Sequence, residues 1–302
     1  MADATELTHE RSRYGSVWRT LHALARNRFS LVGMVVLALI VVLALLAPWL
    51  SPQNPYDLSQ LAIMDNRLPP GSTGMAGLSY WLGTDDQGRD LFSAILYGTR
   101  TSLIVAISSA LLALLIGMAV GLLSAWRGGR IDALCMRVVD IQLSFPPILI
   151  ALILLAVLGQ GVDKIILALV ITQWAYYART VRGSALVESR RSYVDAARGM
   201  AFSDVRILFR HVLPNCLPPL IVVATMRIAY AIMLEATLSF LGIGLPITEP
   251  SLGLLIANGF DYLMSGDYWI SLFPGIMLLL LIVAINLIGD ALRDILNTRR
   301  EE

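Results

Sequence analysis

Few side chains in this sequence could do chemistry, and their spacing narrows what that chemistry is. The histidines are His9, His22 and His211, the cysteines Cys135 and Cys216, and the single lysine is Lys164. A metal site needs several such ligands at short spacing, and a P-loop needs a glycine-rich turn ending in Gly-Lys-Ser/Thr. No histidine has a second histidine or cysteine at ligand spacing, and Lys164 sits in GQGVDKI, without the loop or the hydroxyl. H-E-x-x-H and G-x-S-x-G are also absent. Two isolated cysteines make no disulfide framework, and each flanks an apolar run where a small buried residue fits. The expectation is a non-enzyme with no cofactor of its own, whose ATP, if it depends on any, is held by another subunit.

Three charges lie within the third and fifth apolar runs of the chain: Asp140, Arg227 and Glu235. Ionisable groups in a membrane are costly and face protein or water. Eight residues separate Arg227 from Glu235, about 12 Å of rise and 80° of rotation, so they do not form a simple ion pair. On one reading Arg227 lines a water-filled pathway through the membrane and meets a carboxylate there. On the other, Arg227 and Glu235 both brace helices, which suits Glu235 better. Asp140 has Arg137 three residues before it, which suggests a local helical pair.

These residues belong to a chain that is 57% hydrophobic, with a mean hydropathy of +0.70 and 15% charged residues. Soluble domains average about 25% charged. The apolar residues fall in six blocks: Phe29–Leu50, Ser102–Trp126, Val138–Leu158, Val162–Ala178, Cys216–Ile243 and Trp269–Ile288. Most reach the ~20 residues that a helix needs to cross ~30 Å of hydrocarbon, and the fourth is the shortest. An all-α polytopic membrane protein with six spans is therefore expected, in contact with lipid and not with nucleic acid. Pro146-Pro147 and Pro218-Pro219 predict kinks in the third and fifth spans. The first block is too long for a signal-peptide core and is followed by no A-x-A site. Before it, Trp18, Leu21 and Ala25 with Arg19, Arg26 and Arg28 suggest a short helix lying in the membrane surface.

Arginine placement sets the orientation. Residues 1–29 carry five, 127–137 three, 179–215 seven and the tail after 290 three, eighteen in all. The intervening segments 51–101, 159–164 and 244–268 carry only Arg67, Arg89, Arg100 and Lys164. Basic residues favour the cytoplasmic side, so both termini are expected on the cytoplasmic side of the membrane. The expected organisation is a cytoplasmic segment 1–28, a first helix 29–50 and an extracytoplasmic loop 51–101. A core of five spans follows at 102–290 with a cytoplasmic loop 179–215, then a tail 291–302. The 51–101 loop is too long for a connector, which implies a functional or docking surface.

The cytoplasmic stretch SYVDAARGMAFSDVRILFRHVLPN, residues 192–215, is polar and basic in an otherwise apolar chain. Tyr193, Ala196, Ala197 and Met200 recur at helical spacing, as do Val205, Leu208, Phe209 and Val212, with Arg206 and Arg210 on another face. Ser203 is placed to cap a second helix, and Asp204 sits where the helix dipole favours an acid. Pro214 ends that helix or begins the next span. Two short amphipathic helices joined near Gly199–Phe202 are predicted. They either cover the chain's own helix ends or offer a knuckle to a groove on a partner.

The spacing resembles the EAA loop of ABC importer permeases, in which an acid and two alanines are followed by a glycine and then Leu-Pro. Asp195-Ala196-Ala197 and Leu213-Pro214 match; aspartate replaces the usual glutamate, and Ala201 stands where the glycine belongs. An alanine there implies an ordinary negative φ or a bend shifted towards Gly199. LGTDDQGRDLFSAILYGTRTSL (82–103), RIDALCMRVVDIQLSFPPILIAL (130–152), EATLSFLGIG (235–244) and FPGIMLLLLIVAINLIGDALRD (273–294) resemble the C-type subunit of the dipeptide/oligopeptide/nickel permease family. Residues 29–57 resemble that subunit's extra first helix. Leu252 departs from a tryptophan common among relatives.

That resemblance implies a homologous second permease, two ATP-binding subunits carrying ATP and Mg, and an extracytoplasmic substrate-binding protein. It also implies that residues 192–213 dock on an ATPase subunit, so that Ala197→Glu or charge reversal at Arg206 uncouples hydrolysis from transport. Peptides are the expected cargo; glutathione, opines and nickel complexes are alternatives within the family. A secondary transporter is the alternative class, although no internal repeat supports it.

Overall fold

The computed structural model describes residues 24, 27–75 and 77–301. The surface helix expected around Trp18, Leu21 and Ala25 lies outside the described residues, as do His9 and His22. Helix α1 (Arg28–Leu45) starts where the Asn27 side chain accepts the Phe29 N–H at 3.0 Å, and a Pro48-led turn, α2 (Ala47–Leu50), follows it. Then come two strands of two residues each, β1 (Ser72–Thr73) and β2 (Ser79–Tyr80). The helical body consists of α3 (Leu91–Arg127), α4 (Gly129–Ser144), α5 (Pro147–Leu158) and α6 (Val162–Glu188). It continues with α7 (Ser192–Gly199), α8 (Asp204–Ile207), a π turn at Leu208–Val212, α9 (Leu213–Phe240), α10 (Leu252–Phe260) and α11 (Trp269–Glu301).

Among the described residues, four helical stretches are long and apolar enough to cross a membrane: α1, α3, α8 through α9, and α11. A fifth arises if α4 and α5 form one broken span, since they meet at 88°. The predicted kink at Pro146-Pro147 is thus a full break. Two consecutive prolines remove two N–H donors, and Pro147 opens α5, where no donor is needed. The predicted kink at Pro218-Pro219 does not interrupt helix α9.

The fourth apolar block is helical within α6, yet α6 is not among those four. It carries Asp163, Lys164, Arg179 and Arg182, and it runs through the middle of the bundle, with Leu169, Tyr177 and Val181 fully buried. A helix screened by protein need not be apolar throughout.

Helix α3 has 37 residues, roughly 55 Å, well beyond the ~30 Å of hydrocarbon. It begins eleven residues before the apolar block because Asp90 caps it, accepting from the Ser93 N–H at 2.9 Å and its hydroxyl at 2.6 Å. α3 and α6 pack backbone to backbone. A Cβ at Gly117 would lie 2.5 Å from the Trp174 carbonyl, and one at Gly121 2.5 Å from that of Ala178. Small residues four apart are how membrane helices gain contact when lipid is as apolar as the core.

The segment before α3 is folded through its own acids. Asp65, buried, accepts from the Tyr80 hydroxyl at 3.1 Å and the Met75 N–H at 3.0 Å. Asp85 pairs with Arg89 at 2.5 Å with both side chains buried, and Arg89 also donates to the Ile247 carbonyl at 3.2 Å. Gln53 accepts the Asp90 N–H at 2.7 Å. Burial pushes the Asp90 carboxyl up, against the opposing hydrogen bonds from Ser93 and Phe92.

Candidate functional site

Helix α7 ends in a Schellman motif. The Phe202 N–H reaches the Ala197 carbonyl at 3.2 Å and the Ala201 N–H reaches that of Arg198 at 2.9 Å. The motif needs a left-handed residue at its turn, and Ala201 supplies it with φ 55°. The expectation of a negative φ at Ala201, or of a bend moved to Gly199, is therefore corrected. Gly199 stays helical, and the alanine takes the glycine conformation because the paired carbonyls and the burial of Ala197 beside Phe202 hold it there.

Beyond the turn, Ser203 occupies the cap position of α8 with extended backbone, but its hydroxyl makes no capping bond; Asp204 lies in the first turn as expected. The second helix does not stop at Pro214. Pro214 has no N–H for the Arg210 carbonyl, so the Leu213 N–H reaches back five residues to Leu208 and the turn widens to π. The Asn215 side chain takes the His211 carbonyl at 2.9 Å. Residues 204–240 thus form one continuous helix, joining the knuckle to a stretch long and apolar enough to cross a membrane.

The apolar stripes are corrected in register. The side chains that bury are Val194, Ala197, Ile207 and Val212, which pack with Tyr177, Val181 and Cys216. Of the predicted set, Ala197 and Val212 are buried, whereas Tyr193, Ala196, Met200, Val205 and Phe209 face outward. Met200, Val205 and Phe209 are each more than 60% exposed and form an apolar ridge. Arg206 stacks on Phe202 at 4.2 Å, and Asp195 pairs with Arg198 at 3.4 Å. The Tyr193 hydroxyl donates to Glu188 at 2.8 Å and accepts from Asn215 at 3.0 Å, tying the end of α6 to α9. Burial, then the bond to Glu188, pushes the Tyr193 phenol up, so it remains a donor. Since Ala197 is buried, Ala197→Glu would test packing and not docking.

The two charges of α9 part company. Glu235 is fully buried and accepts from Ser102 of α3 and from Ser239, both at 2.8 Å. It joins two helices through hydroxyls with no basic partner within ion-pair distance among the described residues. Arg227 is half-buried, with its guanidinium 3.4 Å from the Tyr176 ring centre and 5.4 Å from that of Tyr230. Asp140 does not pair with Arg137. It pairs with Arg179 of α6, one turn beyond Tyr176, because the helix crossing puts α6 beside it. Asp132 holds Arg182 in a bidentate pair at 2.5 and 2.7 Å. These inter-helix partners were missed from the sequence; only Tyr230, three residues after Arg227, and Ser239, four after Glu235, were visible as helical neighbours.

The family described as binding-protein-dependent transport system inner membrane component matches residues 113–302. The chain belongs to this family. A second description, the N-terminal transmembrane domain of oligopeptide transport permease C, matches residues 14–70. Among relatives, a putative peptide transport system permease protein of Brucella abortus is 44% identical over 280 residues, 93% of this chain and 91% of that one. The di/tripeptide transport system permease protein of Pseudomonas aeruginosa is 38% identical, covering 91% and 89%. The MetNI methionine ABC transporter, solved in inward-facing conformations, shares the fold with a TM-score of 0.55 and 22% identity. That match covers 68% of this chain and 95% of that one. As a member of this family, the chain is a multi-pass inner-membrane component of a transport system.

Proposed function

We propose that this chain is the C-type permease subunit of an ATP-driven importer of peptides. It has six spans, counting α6 and the broken α4–α5 pair, and both termini are cytoplasmic. It works with a homologous second permease, two ATP-binding subunits that hold ATP and Mg, and an extracytoplasmic binding protein. The permease itself hydrolyses nothing. It takes up the movement of an ATPase subunit at residues 193–214, and alternating access follows as a two-state rigid-body change. Peptide cargo rests on the names of the relatives.

One observation carries the reading. An exposed apolar ridge of Met200, Val205 and Phe209 sits on a knuckle continuous with a membrane-crossing helix. A helix docking in a groove presents such anchors, and a helix covering only its own chain would bury them. The broadly exposed α4, which buries only Val139 fully, fits a surface awaiting the second permease.

The test is uptake by the purified complex in proteoliposomes with Phe209→Glu and Met200→Glu together. Transport is expected to fall at least about tenfold while the permease still folds, and the ATPase subunits wash off or hydrolyse without transport. Uptake at the unaltered rate would overturn the docking role. Uptake driven by an ion gradient without ATPase subunits would replace the importer by a secondary transporter.

A further inference from the structure

Arg227 differs from its basic neighbours in what its donors do. Arg179 and Arg182 are committed to Asp140 and Asp132. Arg227 makes ring contacts only: no carboxylate lies within ion-pair distance of it among the described residues, and its N–H groups have no hydrogen-bond acceptor there. They are also not sealed in the interior, for none is among the buried donors left without a partner. Stacking on Tyr176 uses the flat face of the guanidinium and leaves its edge free. That edge is the fork that matches a carboxylate with two parallel bonds. A free cation near the middle of a 28-residue spanning helix is costly unless it faces water or a ligand.

The surroundings indicate which. Tyr176, Arg179, Gly183 and Val187 recur along one face of α6, and all four are partly or fully exposed. Towards the end of α6 this face becomes an open groove of about 540 Å³ lined by Gly183, Leu186, Val187 and Arg190. The charged Asp140–Arg179 pair is more than half exposed on the same face, which suits water and not lipid. Arg227, over the Tyr176 ring, therefore lies against the exposed face of α6 that runs past the Asp140–Arg179 pair to this groove.

The geometry points to Arg227, braced by Tyr176 and Tyr230, as a substrate-binding residue on the exit side that holds the C-terminal carboxylate of a peptide before release. The inference rests on the peptide-importer reading and deepens it by naming the group recognised. Arg179 offers no second stop of equal strength, because Asp140 already occupies it.

The experiment places a dipeptide, or the same dipeptide as its C-terminal amide, at the cytoplasmic face of the complete complex in proteoliposomes. No binding protein is present on that side. Inhibition of ATP-driven uptake is read for the wild type, Arg227→Gln and Arg227→Lys. The free acid is expected to inhibit the wild type about tenfold more strongly than the amide. The difference should vanish in Arg227→Gln and persist, weakened, in Arg227→Lys. Equal inhibition of the wild type by acid and amide, or none by either up to saturation, would overturn the proposal. So would an acid preference retained in Arg227→Gln. Wild-type uptake of the dipeptide, measured in parallel, separates the two readings: if it is absent, the importer of peptides is wrong; if it is present without acid preference, only the arginine site is.

Discussion

Ala201 holds a left-handed backbone that costs an L-residue with a Cβ about 1–2 kcal/mol and costs glycine almost nothing. Ala201→Gly should therefore stabilise the knuckle by about 1 kcal/mol, part of the gain being lost to glycine's freedom in the unfolded chain. Thermal unfolding of the purified subunit should show a higher midpoint, and an unchanged or lower one would mean that the turn is not strained. The departure at 201 was legible in the sequence, because the motif marks that position. Its outcome was not, because two hydrogen bonds and the packing of Phe202 decide whether alanine yields or the bend moves. The register of α7 was illegible for a related reason. Tyr193, Val194, Ala196 and Ala197 give a two-turn helix two apolar faces, and only the neighbours Tyr177 and Val181 choose which is buried.

At the scale of elements, breaks were easier to foresee than joins. Pro146-Pro147 announced an interruption, but the 88° angle comes from how α4 and α5 rest on α6 and α9. At the join from α8 into α9 the sequence leaves Pro214 either ending one helix or beginning the next, and it opens α9 without a stop before it. Here the wide turn absorbs the missing donor and the helix runs on. A π turn accommodates one residue more than the α-helix needs, so that residue is removable. Deleting Arg210 is expected to leave a regular α-helix, with the knuckle and the span in their present relation and transport reduced less than about threefold. Deleting Val223 instead turns everything beyond it by about 100° and should abolish transport. Equal damage from both deletions, measured as uptake by complexes of matched assembly, would show that the turn is not a tolerant spacer.

For the whole molecule, the apolar blocks made the helical, membrane-crossing character readable, whereas the segment before α3 had to be seen. Nothing in its spacing marks which acids bury, yet Asp65, Asp85 and Asp90 do. Arg89, pairing with Asp85 and reaching the carbonyl of Ile247, stitches the loop before α3 to the loop after α9. Arg89→Ala leaves a buried carboxylate uncompensated and should destabilise the protein by about 3–5 kcal/mol, while removing Asp85 as well should restore part of that loss. Limited proteolysis of both variants checks this; identical protection of the single variant and the wild type would show that the stitch carries little energy. On the opposite side, the unbroken helix from Asp204 to Phe240 acts as a lever arm. About 35 Å of rigid rod separates Asp204 from Arg227, so a tilt of roughly five degrees about the knuckle end swings the guanidinium by about 3 Å. That displacement equals the reach of one hydrogen bond, and a grip as short as that can be broken by a very small stroke.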